Sequence, residues 1–401
     1  MSARHPWRER AGRAALVLVG VALALVIVEV GDALRAWLRG SGCAHGQPPF
    51  WRPRADVGWA LAPGASGDAH VCIGTYEMAR HAITINALGQ RDRPRTLART
   101  PGVARVLVLG DSFVEAMQVD LEESFPALLE RRLRVEMLNA GVSGYSTDNE
   151  LRAFVADGHR YAPDVVLLLF HVGNDVLENG PRLFLQNPHG LPPKGWLRSD
   201  APSRRLDACF AVHRAAAAVA AATPSLLWRN SRLLRGGLTS GVARVIQSAC
   251  ADEIGPSLIR GVPELFGVYG KPATPAWQEG WSTTERLLVH LARRVRASGA
   301  RFGVVLGPAC LEFDPRLRWP SMADPVVREH DWRFVYPYTR LQHFLTAEKI
   351  DWLSLQPALR THFIKTGELT CYLWDGHWNA AGHAVVAESL APFVMRLLGG
   401  T

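Results

Sequence analysis

The sequence predicts an α/β protein: a three-layer α/β/α sandwich around a five-stranded parallel sheet. Three observations carry that expectation. Short runs of Val, Ile and Leu recur without the polar alternation of a half-exposed strand, as strands buried on both faces require. Between them lie stretches with apolar residues at helical spacing, the crossovers that parallel strands need. The runs break into Gly, Asp and Asn turns, at the strand ends where open α/β sheets gather their ligand-binding loops.

The chain has 401 residues, 48% hydrophobic and 20% charged, enough for a large core with an accessory region. Its formal net charge is +8, and the excess is arginine, since the only lysines are Lys194, Lys271, Lys349 and Lys365. The arginines are spread along the chain and form no stripe interleaved with aromatics. The basic balance therefore suits anionic envelope polymers or lipid headgroups, and no nucleic-acid partner is expected.

Taken in order, the chain opens with Arg4, Arg8, Arg10 and Arg13 ahead of an apolar run from Ala14 to Val28, extendable through Val30 towards Trp37. This reads as an uncleaved signal anchor, with a cleaved signal peptide as the alternative. Positive charge before the run holds the N-terminus in the cytoplasm. Residues 1–38 are thus expected to form a cytoplasmic N-terminus and a single transmembrane helix in the inner membrane. The remainder is expected on the periplasmic side.

Residues 39–101 are expected to form a small β-rich lead-in, with strand-like alternation at Asp56–Trp59 and His81–Asn86 and a linker from Thr96 to Pro101. Residues 102–401 hold the main domain. Its candidate strands are Arg105–Leu109, Val135–Leu138, Asp164–Phe170, Arg301–Leu306 and Ile350–Leu355. Glu123–Leu133 has leucines at helical spacing. Thr147 with Glu150 predicts a capping box for a helix through Ala156, and Ser282 with Glu285 another for a helix through Ala297. Asn379 is placed to cap a last helix, Ala380 to Leu398. No core strand falls between about 180 and 280, so that segment is expected to be a helical insertion bordering the ligand-binding edge. Its helical stretches are His213–Ala222 and Trp228–Arg235.

Six cysteines follow the apolar run: Cys43, Cys72, Cys209, Cys250, Cys310 and Cys371. In an exported chain an even count predicts at least one disulfide. Cys43–Cys72 and Cys209–Cys250 are neighbours in sequence. Cys310 and Cys371 both flank the expected ligand-binding edge.

Four stretches carry the chemistry. Gly110-Asp111-Ser112 closes the first strand. Asn139-Ala140-Gly141-Val142-Ser143-Gly144 follows the second, and its glycines let backbone N–H groups approach a ligand. His171-Val172-Gly173-Asn174-Asp175 follows the third, where an Asn can aim its amide into the cleft. Trp374-Asp375-Gly376-His377 precedes the last helix and pairs a carboxylate with an imidazole. Singly, each is also an ordinary turn or cap. In a parallel sheet the four places converge.

These blocks, in this order, resemble those of the SGNH hydrolase superfamily, also called the GDSL esterase/lipase family. The resemblance covers roughly Val103 to the C-terminus without the insertion. The "INALGQRD" stretch ahead of the first strand is similar to a membrane-anchored bacterial subgroup. The resemblance implies a flavodoxin-like fold with strand order 2-1-3-4-5. It implies Ser112 as nucleophile, His377 as base and Asp375 as its partner. It also implies an oxyanion hole from the Ser112 and Gly144 N–H groups and the Asn174 amide. Many members have Asp-x-x-His, whereas this chain has Asp375-Gly376-His377, the shorter form of some polysaccharide-modifying relatives.

A serine hydroxyl becomes a nucleophile only when a base takes its proton. His377 can serve near neutral pH, with Asp375 holding its tautomer. The expected function is therefore a serine esterase removing O-acyl groups, above all O-acetyl groups, from an envelope polysaccharide or glycolipid. An O-acyltransferase using the same acyl-serine is the alternative, and a non-catalytic carbohydrate-binding assembly protein a third reading. No cofactor is expected. His383 with Asp375 invites a metal reading, which is set aside because hydrolytic zinc needs three ligands.

Overall fold

The computed structural model describes residues 27, 30–31, 50–73, 76–185, 191–200, 203–254, 264–272, 274–322, 328, 332–373 and 375–399. Apart from Ile27, Val30 and Gly31, which are helical, the expected signal anchor lies outside the described residues. One described helix, Ala380–Leu398, is long and apolar enough to cross a membrane by length and composition, but half of its apolar window is buried inside the molecule.

The lead-in forms two antiparallel pairs, β1 (Trp51–Arg54) with β2 (Gly58–Leu61) and β3 (Ser66–Ile73) with β4 (Tyr76–Thr84). The second strand of each pair is shifted from its sequence expectation: β2 begins two residues after Asp56, and β4 begins before His81 and ends at Thr84. Beyond Thr84 the backbone turns instead, with Asn86 Oδ1 accepting from the N–H groups of Leu88 and Gln90.

The main sheet contains β5 (Arg105–Gly110), β6 (Glu136–Gly141), β7 (Val165–His171), β8 (Arg301–Gly307) and β9 (Asp351–Ser354). All pairings are parallel and the order is β6-β5-β7-β8-β9. This is the 2-1-3-4-5 order, and all five predicted strands are present, four to within a residue and the second running three residues further, to Gly141, into the block that was expected to follow it. The apolar runs are continuous because both faces are covered. Leu107, Leu109, Val166 and Leu168 face one helical layer, and Val106, Val108, Val165 and Leu167 face the other.

The helices that position the site are α1 (Ser112–Glu115), α2 (Phe125–Leu133), α3 (Thr147–Ala156), α4 (Asp175–Asn179), α5 (Arg204–Ala222), α6 (Val242–Ile254), α7 (Pro275–Ala297), α8 (Tyr336–Ala347), α9 (Gln356–Thr366) and α10 (Ala380–Leu398). Helices α3, α7 and α8 contribute to one apolar cluster, and α2, α9 and α10 to the other. Helix α10 is thus a core helix, capped by Asn379, whose side chain accepts from Gly382 N–H.

Both predicted capping boxes are misplaced. Helix α3 is preceded by Ser146, not Thr147. Helix α7 starts at Pro275, with Thr274 accepting from Trp277 N–H. Ser282 and Glu285 lie inside it, where Glu285 accepts from Arg340 Nε instead. The Trp277 and Trp281 side chains, fully buried, extend the helix's core stripe two turns upstream.

Among the described residues of the insertion are helices α5 and α6. The disulfide Cys209–Cys250 joins α5 to α6, and Cys310–Cys371 joins the β8 turn to the stretch before Asp375. Cys72 is also disulfide-bonded, and its expected partner Cys43 lies outside the described residues.

Candidate active site

Strand β5 ends at Gly110, and Asp111 turns the chain into α1 by accepting from Phe113 N–H at 2.9 Å. Ser112 is therefore lifted onto the carboxyl edge of the sheet as the first residue of α1. The loop before α10 brings the last block to it. Ser112 Oγ donates to His377 Nε2 at 2.7 Å. On the far side of the ring His377 Nδ1–H donates to Asp375 Oδ2 at 2.8 Å. The three side chains form one hydrogen-bonded row.

The short Asp-Gly-His spacing works because of the backbone between them. Gly376 has φ +77, a conformation that lets residues two apart turn to the same side. The loop is closed by Tyr372 N–H donating to His377 O, by a bridge between Cys371 and Trp378, and by the Cys310–Cys371 disulfide. Burial acts to lower the His377 pKa, but the hydrogen bond and charge of Asp375, helped by Asp111 and Glu115, outweigh it, so the net shift is upward.

The row borders a cavity of about 470 Å³ that Gly144 and Asn174 also line. Gly144 has φ +75 in the turn after β6. Asn174 is oriented by its neighbours. Its Oδ1 accepts from His171 Nδ1–H at 2.6 Å, and its Nδ2 faces Asp111 Oδ2 at 3.4 Å. An amide oxygen toward a ring N–H and an amide nitrogen toward a carboxylate fix the flip chemically. All five sequence-predicted site residues thus reach one cavity. His171 lies nearby but is not placed as the base: its Nδ1 is held by Asn174, and Phe113 stacks on it at 4.2 Å while packing against His377 at 4.8 Å. His383, weighed as a metal ligand in the sequence, is buried, pushed down to about 3 by burial, and accepts from Phe125 N–H.

Several residues of the site were not singled out from the sequence. Leu191 and Tyr269 of the insertion line the cavity, with Leu311, Leu317 and Leu373 opposite. Beneath Asn174 sits a cluster of buried acids, Asp148, Glu150, Asp175 and Glu178. Burial, with charge repulsion among the carboxylates, holds Glu150, Asp175 and Glu178 well above the ordinary carboxylate range. Lys194 of the insertion, fully buried, enters this cluster and donates to Asp148 Oδ1 at 2.7 Å and to the Glu178 carbonyl at 3.0 Å. It is one of four lysines in an arginine-rich chain, the only sequence signal that could have marked it.

No family model and no curated protein matches the chain. Among solved structures, similar folds include an acetyl xylan esterase, AlAXEase (12% identity, covering 72% of this chain and 99% of that one, TM-score 0.38). TesA is another (16% identity, 73% and 99%, TM-score 0.37). A third is a member of the lipolytic protein G-D-S-L family from Veillonella parvula (10% identity, 73% and 100%, TM-score 0.37). Likenesses of this size carry no argument about activity or substrate, for which the site itself has to speak. In strand order, in the placement of its four blocks and in the Ser112–His377–Asp375 row, the chain is similar to the SGNH hydrolases.

Proposed function

We propose that this protein is a serine esterase that hydrolyses O-acyl esters, O-acetyl esters in the first place, of an envelope polysaccharide or glycolipid. The observation that carries the reading is the hydrogen-bonded row Ser112–His377–Asp375 at the edge of a cavity. His377 Nε2 takes the Ser112 proton as Oγ attacks the acyl carbonyl, and then returns it to the leaving alcohol. Asp375 holds the Nδ1–H tautomer and stabilises the imidazolium. The negative charge that develops on the carbonyl oxygen is met by the Ser112 and Gly144 N–H groups and the Asn174 amide, each worth about 3 kcal/mol by analogy with known oxyanion holes. Water then attacks the acyl-serine on the same path. No step calls for a metal or cofactor.

Two disulfides among the described residues suit an oxidising compartment and support a periplasmic domain, which the apolar run Ala14–Val28 in the sequence would hold to the inner membrane. An alkaline phosphatase fused after Thr401 should be active in cells, and inactivity would overturn this location. The activity is tested by labelling with a fluorophosphonate. Wild type should label and Ser112→Ala should not, with its fold unchanged. Labelling of Ser112→Ala, or none of wild type, would refute the assignment. Products formed with and without acceptor sugars then separate hydrolysis from acyl transfer.

A further inference from the structure

The two peptides on either side of Ser143 are each held by a residue the reaction does not consume. Trp59, on β2 of the lead-in and fully buried, donates from Nε1 to Ser143 O at 2.9 Å. In a planar trans peptide the C=O and the following N–H point in opposite directions. Holding the Ser143 carbonyl on Trp59 therefore fixes the direction of the Gly144 N–H, and Gly144 lines the cavity beside Ser112.

The preceding peptide is held by Glu115, the last residue of α1. Its Oε2 accepts from Ser143 N–H at 2.8 Å and also from Ser143 Oγ. Its Oε1 is buried with no partner among the described residues. A carboxylate is costly to bury, and this one is wholly buried three residues after Ser112. The two hydrogen bonds from Ser143 are what it gains there. Glu115 is itself tied down. Arg91 of the lead-in donates to the carbonyls of Glu115 at 3.0 Å, Ala116 at 2.6 Å and Val119 at 2.5 Å. Around it the cluster continues: Tyr145 packs edge-on against Trp59 at 5.6 Å, and its hydroxyl donates to the Trp59 carbonyl.

We propose that Trp59 and Glu115 are positioning residues that aim the Gly144 N–H at the developing oxyanion, which makes the lead-in a working part of the active site. The inference rests on the esterase reading. It adds that the lead-in, outside the four sequence blocks, sets the rate of the acyl-transfer step.

Trp59→Phe keeps an aromatic ring and removes the donor together with the five-membered part of the indole. It should lower kcat by about 10- to 100-fold, the scale of a misplaced catalytic group, with KM little changed. Affinity for a boronic acid, which mimics the tetrahedral state, should fall in step with kcat. Glu115→Gln still offers a carbonyl oxygen to Ser143 N–H and should rescue most of the kcat that Glu115→Leu loses. A merely structural role would lower the melting temperature of these variants without splitting kcat from KM or giving that rescue. If Glu115→Leu fails to fold, Trp59→Phe decides alone. Wild-type kcat and boronate affinity in Trp59→Phe, with Ser112→Ala inactive, would overturn this inference and leave the esterase reading standing. A wild type that neither labels nor turns over would sink both.

Discussion

Removing the carboxylate from Asp375 is the perturbation whose sign and size follow most directly from the geometry. In Asp375→Ala the imidazole loses its 2.8 Å acceptor at Nδ1. A hydrogen bond to a charged group is worth about 1.5–3 kcal/mol, which is about 10- to 150-fold in kcat/KM. The two side chains are 22% and 28% exposed, so solvent screens the pair and places the loss in the lower half of that range. The pH dependence sharpens the test. His377 works as a base only when neutral, and its pKa lies above the ordinary 6.5, so the wild-type rate should rise with pH through that raised value. Burial alone lowers the pKa, and the Asp375 hydrogen bond and charge are the main contributions that raise it. The variant's acid limb should therefore move to lower pH, and its deficit should be largest on the alkaline plateau and smaller in acid. The assay is kcat/KM for p-nitrophenyl acetate from about pH 5 to about pH 9, which brackets an imidazole. An acid limb that stays in place or moves upward would refute the reasoning, as would wild-type rates throughout. His377→Ala should cost more than Asp375→Ala, because it removes the base itself.

Two further perturbations probe the same loop. Gly376→Val meets no atom within 4 Å but must adopt φ +77, so strain of at least about 1–2 kcal/mol should distort the Asp375–His377 pair. Turnover should fall while the melting curve moves little, and full activity would show that the loop tolerates another backbone path. Replacing Cys310 and Cys371 together with serine releases the loop from the β8 turn and should lower both turnover and stability, the latter by about 2–4 kcal/mol. The matching change at Cys209 and Cys250 should lower stability alone, as calorimetry and kinetics on the two pairs would establish.

The sequence determined by itself the features that rest on local pattern. Strands buried on both faces appear as apolar runs, so β5, β7, β8 and β9 were legible to within a residue, while β6 runs three residues past its apolar run into Asn139, Ala140 and Gly141. Singly the turns that carry Ser112, Gly144, Asn174, Asp375 and His377 are ordinary, and it is their order along the chain, through its resemblance to the SGNH hydrolases, that allowed the five to be named before their convergence was seen. Helix starts were less legible. The Ser282 and Glu285 pair matches a capping box, which Thr274 followed by Trp277 does not, and only the burial of Trp277 and Trp281 extends α7 back to Pro275. What the tertiary structure alone decided are the partners of buried polar groups. Trp59 reaches Ser143 across 84 positions, Arg91 reaches Glu115 across 24, and Lys194 reaches Asp148 across 46. In the sequence Glu115 is one acid in a short helix and Trp59 one aromatic in a strand. A buried charge or indole N–H is stable only where a distant segment supplies its hydrogen bonds. Nothing in the neighbouring residues encodes that supply, because it comes into being only when the chain has folded.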